Sequence, residues 1–246
     1  MAAFTFFGLC APVHAQFLGS ASSFAVLAGS TVTNTGSSVL SGDLGVWPGT
    51  AITGFPPGIV VNGSVYEGGA VAQQAQADLT IAYDLLEGEA FDEDLTGEDL
   101  GARTLFAGVY SFDNSAQLTG DLILDANGDS NARFVFQIGS TLTTATNASV
   151  TVINGGGGNN VYWQVGSFAT LGTGTEFTGN ILAMTSITLN TGANINQGRA
   201  LAREGAVTLV SNNISAPVPE PASMFLLTAA GLVAAAARRR RRLAGD

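Results

Sequence analysis

Between residues 18 and 215 the apolar residues come in short groups, and glycine, asparagine, serine and threonine separate them. Short Val-, Ile-, Leu- and Phe-rich runs bounded by turn formers predict many short β-strands. Similar fragments recur as Ser41-Gly42-Asp43-Leu44-Gly45-Val46, Asn62-Gly63-Ser64-Val65-Tyr66, Thr119-Gly120-Asp121-Leu122-Ile123-Leu124 and Thr178-Gly179-Asn180-Ile181-Leu182-Ala183. Each sets a polar, glycine-bearing turn ahead of one short apolar strand. Copies at irregular spacing predict the rungs of a solenoid, in which each coil buries its face against the next. Similar strands would also build a β-sandwich, and the pattern alone leaves both open.

One segment departs from this pattern. Residues 70–90 contain no proline, and Gly88 is their only glycine. Val71, Ala75, Leu79, Ala82 and Leu86 follow helical spacing, while Gln73, Gln74, Asp78, Asp84 and Glu87 fall mostly off that stripe. The spacing predicts an amphipathic helix packed on the strand body. The acidic stretch 91–100 that follows predicts an exposed loop.

The two ends read differently from the body. Residues 1–15 are apolar and finish in Val13-His14-Ala15, a small-x-small cleavage pattern ahead of Gln16, so they predict a signal peptide without a positive leading region. At the other end Val218-Pro219-Glu220-Pro221 precedes an apolar run, 222–237, and then Arg238, Arg239, Arg240, Arg241 and Arg242. A helix over that run would span about 24 Å, slightly short of a bilayer core. The arginines would keep their end in the cytoplasm and leave the body outside. Pro219, Glu220 and Pro221, the apolar run and the arginine cluster, in that order, resemble the PEP-CTERM sorting tail. The resemblance implies a Gram-negative bacterium, transient anchoring in its inner membrane, removal of the tail by an exosortase, and delivery to the cell surface or extracellular matrix. The expected division is 1–15 signal peptide, 17–215 body and 216–246 sorting signal.

Charge and residue inventory narrow the function. The chain has no lysine, and its formal net charge is −10. Residues 17–215 hold 17 acids against four arginines, a surface that phosphate backbones repel, so nucleic acid is excluded as a partner. His14 and Cys10, the single histidine and cysteine, both lie within the first 15 residues. A body without His, Cys or Lys has no Ser-His-Asp or Cys-His nucleophile, no His/Cys zinc site and no Schiff-base lysine. An enzyme is not expected, nor a cofactor.

A longer resemblance covers residues 18–214. It begins at Leu18-Gly19-Ser20-Ala21-Ser22-Ser23-Phe24-Ala25-Val26-Leu27-Ala28-Gly29-Ser30 and includes Ala75-Gln76-Ala77-Asp78-Leu79 in the helical segment. Gly108-Val109-Tyr110-Ser111-Phe112, Ala116-Gln117-Leu118-Thr119-Gly120, Phe134-Val135-Phe136-Gln137-Ile138-Gly139-Ser140 and Val161-Tyr162-Trp163-Gln164-Val165-Gly166-Ser167 follow. Gly179-Asn180-Ile181-Leu182-Ala183 and Gly198-Arg199-Ala200-Leu201-Ala202-Arg203 close it. In order and content these segments resemble the ice-binding-like (DUF3494) family. That resemblance implies a mainly β fold, a discontinuous right-handed β-solenoid (a parallel β-helix of triangular section) with one long α-helix packed alongside. It also implies a secreted, non-enzymatic, antifreeze-like protein whose ligand is ice. A structural or adhesive matrix protein of the same fold is the alternative, with extracellular polysaccharide as a further partner.

Ice recognition needs a flat, rigid surface bearing both hydroxyls and methyls, and threonine offers both on a β-branched side chain with few rotamers. The family's Thr-Ala/Gly-x-Thr/Asn motif is matched by Thr144-Ala145-Thr146-Asn147 and by Thr191-Gly192-Ala193-Asn194. Thr173-Gly174-Thr175-Glu176 matches up to its charged last position. Thr144, Thr146, Asn147, Thr191 and Asn194 are therefore expected on one exposed, flat strand face, with Thr173 and Thr175 on a rung of it. Ordinary turn and strand threonines would give the same short motifs. Asp125-Ala126-Asn127-Gly128-Asp129-Ser130-Asn131 has the alternating oxygens of a calcium loop but lacks the sixth-position glycine and the terminal glutamate, so it reads as a turn. Residues 155–160 also read as a turn. The acids of 92–99 could supply the carboxylate pair of a glycosidase, but read better as a solvated loop. Arg199 and Arg203 are expected to pair with carboxylates.

Overall fold

The computed structural model describes residues 17–217. Their short apolar runs form 22 β-strands beside one α-helix, Gly69–Glu87. All the strand pairings among them are parallel. Parallel stacking of successive coils is a solenoid, and it removes the sandwich alternative.

Each coil passes through three columns of strands. The first column includes Gly108–Phe112, Phe134–Ile138, Val161–Val165, the second halves of Glu176–Ala183 and Asn194–Ala202, and then Phe24–Ala28 and Asp43–Val46. The second runs Ala116–Leu118, Leu142–Thr144, Ala169–Leu171, Ile187–Leu189, Val207–Val210, Thr31–Thr35 and Ala51–Thr53. Arg103–Phe106, Asp121–Asp125, Ser149–Ile153, the first halves of the two long strands, Asn213–Ser215, Val39–Ser41 and Ile59–Val61 make the third.

The stacking order departs from the chain order at one joint. Phe24–Ala28 lies between Asn194–Ala202 and Asp43–Val46, so the first coil of the chain docks on the last. The helix reconciles the two orders. It begins just after Val65–Glu67, at one end of the stack, and the chain leaves it to start the opposite end at Glu93–Asp94.

First-column strands are buried on both sides, which is why they read as continuous apolar runs. Inward, Phe136 stacks on Trp163 with ring centroids 3.9 Å apart, and Phe177 lies tilted against Trp163 at 4.9 Å. Outward, Leu27, Val135, Tyr162, Leu182 and Leu201 meet Ala75, Leu79, Ala82, Tyr83 and Leu86 of the helix. The expected stripe holds except at Val71, which is exposed, while Gln76 is buried and donates to the Ala202 carbonyl at 3.0 Å. Gln137 caps the far end, donating to the carbonyls of Leu86 (2.7 Å) and Glu89 (2.6 Å).

The acidic stretch is more ordered than a free loop. Leu95 and Leu100 are buried, and Glu93–Asp94 pairs with Tyr110 and Ser111. Asp92, Asp94 and Asp99 accept backbone N–H groups of Val109, Thr96 and Gly101. These carboxylates hold the turns of the end coil. The signal-peptide residues and the sorting residues Pro219, Glu220, Pro221 and Arg238 to Arg242 lie outside the described residues. Among the described residues no helix is long and apolar enough to cross a membrane.

Candidate functional site

Second-column strands repeat one local pattern: apolar, threonine, apolar. Ala169-Thr170-Leu171, Ile187-Thr188-Leu189 and Val207-Thr208-Leu209 are examples, and in Val32-Thr33-Asn34 a buried asparagine takes the last position. Alternation turns the flanking residues into the core and the central threonine outward. Ala169, Leu171, Ile187, Leu189, Val207 and Leu209 are accordingly buried.

Strand register then converts a local pattern into a surface. Thr143 pairs with Thr170, Thr170 with Thr188, Thr188 with Thr208, Thr208 with Thr33, and Thr33 with Thr53. Gln117 continues the row beside Thr143. Six threonines thus stand in one ladder at the inter-strand spacing, spanning about 24 Å. Each presents a methyl and a hydroxyl on a stiff χ1, and the ladder carries no charge. A surface of this kind can order water without the tightly held hydration shell that a charged group keeps. Asp121, Asp125 and Glu176 stand on third-column strands, and residues 92–99 lie in the end coil, where Asp99 pairs with Gln117 at the end of the row.

The motif residues singled out in the sequence divide into two groups. Thr146, Thr173 and Thr191 are exposed and stack in a row along the corner between the second and third columns. The Asn147 N–H donates to the Thr173 carbonyl (2.9 Å), and the Gly174 N–H to the Thr191 carbonyl (3.1 Å). Thr144 and Thr175 correct the expectation of an exposed face, because they are 3% and 0% exposed. Their hydroxyls bond each other at 2.8 Å inside the corner, and the Thr144 oxygen accepts the Gly172 N–H. Asn147 is a turn residue in the left-handed region, at φ 57°, where Gly174 and Gly192 stand in the neighbouring coils. Asn194 belongs to the third column, where it and Asn196 donate to the Glu176 carboxylate.

The cause is a two-residue offset. Ser149 pairs with Glu176 and Glu176 with Asn194, so the coil position of Thr173 and Thr191 is held by Thr146, not Thr144. What sequence reasoning missed is the ladder itself. Its signal was the recurring apolar-Thr-apolar triplet, one residue wide and easily lost among many threonines.

Other candidate groups serve the scaffold. Asp125 accepts the Asn127 N–H and the Asn154 amide, and Asp129 the Asn131 N–H, as turn caps. Among the described residues no group of three or more His, Cys, Asp or Glu is placed to hold a metal ion. Arg203 pairs with Asp84 at 3.0 Å as expected and lies over the Tyr83 ring. Arg199 departs from expectation. It is buried and donates to neutral oxygens, the carbonyls of Ser22 and Pro217 and the side chains of Asn159 and Asn180. Burial lowers its pKa to about 10, against a small opposing influence from Tyr162, so the guanidinium stays charged at neutral pH. It bridges the first coil, the last coils and the chain exit.

Known proteins place this architecture. Residues 26–215 match the family described as ice-binding-like, and residues 217–242 match the PEP-CTERM protein-sorting motif. An ice-binding protein of a Nostoc species is 57% identical over 89% of this chain and 84% of its own length. A crystal structure of an ice-binding protein from an Antarctic biological consortium superposes with a TM-score of 0.79 at 43% identity, covering 89% of this chain and 97% of that one. The ice-binding protein of the Antarctic ascomycete Antarctomyces psychrotrophicus gives 0.78 at 42% identity, over 82% and 98%. With its parallel three-column solenoid, the helix flanking it and these matches, the chain belongs to the ice-binding-like family.

Proposed function

We propose that this chain is an exported, non-enzymatic protein that adsorbs to ice through the threonine face. The in-register ladder Thr143, Thr170, Thr188, Thr208, Thr33 and Thr53 carries the reading. Its repeat along the stack, about 4.8 Å, is close to the a-axis lattice repeat of hexagonal ice. Methyls and hydroxyls held at that repeat on a rigid sheet share an ordered water layer with the crystal. Relatives named as ice-binding proteins support the same ligand. Thr146, Thr173 and Thr191 extend the contact along one edge, with the buried Thr144 and Thr175 and the Asn147 turn shaping that edge from beneath and Asn194 flanking it.

Export follows from the sorting motif at 217–242. In this reading residues 222–237 anchor the precursor in the inner membrane, Arg238 to Arg242 keep their end in the cytoplasm, and an exosortase removes the tail. The released or surface-held body then meets ice, with extracellular polysaccharide as its neighbour.

Thermal hysteresis of the body and of Thr208→Tyr tests the proposal. The tyrosine should lift a wide area of the face off the lattice and abolish hysteresis and ice shaping. Thr208 is partly exposed, with its side chain on the outer side of the sheet, so the melting temperature should fall little. Unchanged hysteresis in Thr208→Tyr would overturn this face. A wild-type body that never binds ice would leave a structural matrix role for the same fold.

A further inference from the structure

The threonine face is not uniform along its length. Two residues ahead of each ladder threonine, on the same side of the sheet, runs a second row: Thr141, Phe168, Ser186, Ala206, Thr31 and Ala51. Register fixes this row, since Leu142 pairs with Ala169, Ala169 with Ile187, Ile187 with Val207, Val32 with Val207, and Thr31 with Ala51. The Leu142 N–H donates to the Phe168 carbonyl at 3.0 Å, which sets Phe168 beside Thr141. Every other member of the row is small. Phe168 carries a phenyl ring and is 48% exposed.

On a surface that must meet a flat lattice, height decides contact. A phenyl ring reaches well beyond a threonine methyl and offers no hydroxyl to the water layer. It stands next to Thr170, between the coil of Thr143 and the coil of Thr188. Beyond it, towards the acidic end, only Thr141 and Thr143 remain before the longer side chain of Gln117. In the other direction four consecutive coils, those of Thr188, Thr208, Thr33 and Thr53, carry only small residues in the second row: Ser186, Ala206, Thr31 and Ala51. Those four span about 14 Å, against about 24 Å for the whole ladder.

Resting on the ice-adsorption reading above, we infer that Phe168 limits ice contact to the four-coil patch across the joint between the last and first coils. Phe168 is then the residue that sets the size of the ice contact in this chain. Thr143 contributes little while the ring is present.

Four variants, measured for thermal hysteresis alongside their melting curves, separate the possibilities. Thr33→Tyr should abolish hysteresis, and Thr143→Tyr should lower it far less. Phe168→Thr should raise hysteresis severalfold, and adding Thr143→Tyr to it should remove that gain. Phe168→Ala supplies a second small residue should the threonine perturb the corner. The inference falls if Thr143→Tyr is as damaging as Thr33→Tyr in the native background. It also falls if both small replacements of Phe168 fold normally and gain nothing. If instead Thr33→Tyr and Thr208→Tyr are both harmless while the native body binds ice, the threonine face itself is overturned, whatever Phe168 does.

Discussion

Trp163 lies between the Phe136 ring, stacked on it, and the tilted Phe177 ring inside the coils, and its indole N–H donates to the Thr178 carbonyl at 3.1 Å. It is fully buried. Trp163→Ala should therefore cost about 3–5 kcal/mol, read by chemical denaturation, while leaving the exposed ladder residues in place. A loss below about 1 kcal/mol would mean that the neighbouring rings collapse into the gap. At the same scale, a strand's period of two makes one residue the difference between core and surface. Thr143 and Thr144 are chain neighbours, yet the first stands on the ladder and the second is sealed in the corner with Thr175. Both are threonines, so residue type could not tell them apart; only the position of Leu142 in the core does.

The helix shows how an element is anchored by few polar contacts. Asp78 accepts the backbone N–H and the hydroxyl of Ser20, at 2.7 and 2.6 Å, tying the helix to the turn ahead of the first coil. Burial pushes the Asp78 carboxyl up, but the hydrogen bonds from Ser20 and Gln74 outweigh it and hold its pKa below the usual carboxylate range. A depressed folded-state pKa contributes stability above the unfolded pKa and loses it as pH falls through the folded value. The native body should thus lose stability in acid, from about pH 4 downward, more steeply than Asp78→Asn. Parallel thermal melts across that window check it; identical pH profiles would show that the Ser20–Asp78 contact does not stabilise the fold. The helix and its apolar side were legible because helical spacing is local. Val71 escaped the pattern because whether a helix end is covered depends on what lies opposite, and none of the described residues covers it.

For the whole molecule, the joint between the last and first coils is the organising feature. The Val207–Val210 strand pairs with Thr31–Thr35 across it, so the proposed ice contact straddles two segments remote in sequence. Arg199 bridges the same joint and also holds the Pro217 carbonyl, where the match to the sorting motif begins. Stability rests on stacked apolar side chains, with each buried Å² contributing roughly 25 cal/mol. Melting temperature should accordingly be unchanged by EDTA and by added calcium. A sharp fall with EDTA would make Asp125, Asn127 and Asp129 ligands instead of turn caps. Acids on the third column and in the end coil favour solubility and leave the six ladder threonines uncharged, with Asp99 standing beyond Gln117 at one end of the row.

Local chemistry was enough to establish much of this protein. Turn-bounded apolar runs specify short strands, helical spacing specifies the one helix, and the absence of Lys, His and Cys from the body removes most catalytic machinery. The segment likenesses supplied the solenoid and its family, because neither strand pattern nor composition distinguishes stacked coils from packed sheets. Register was beyond reach. Thr33 and Thr208 are far apart in the chain, and they become neighbours only because the first coil docks on the last. The short motif at Thr144 to Asn147 was set two residues out of step with its neighbours, since coil length varies and stacking absorbs the difference at the corners. Which threonines face water, and where a phenyl ring interrupts them, is decided by inter-coil hydrogen bonds between residues with no sequence relation to one another.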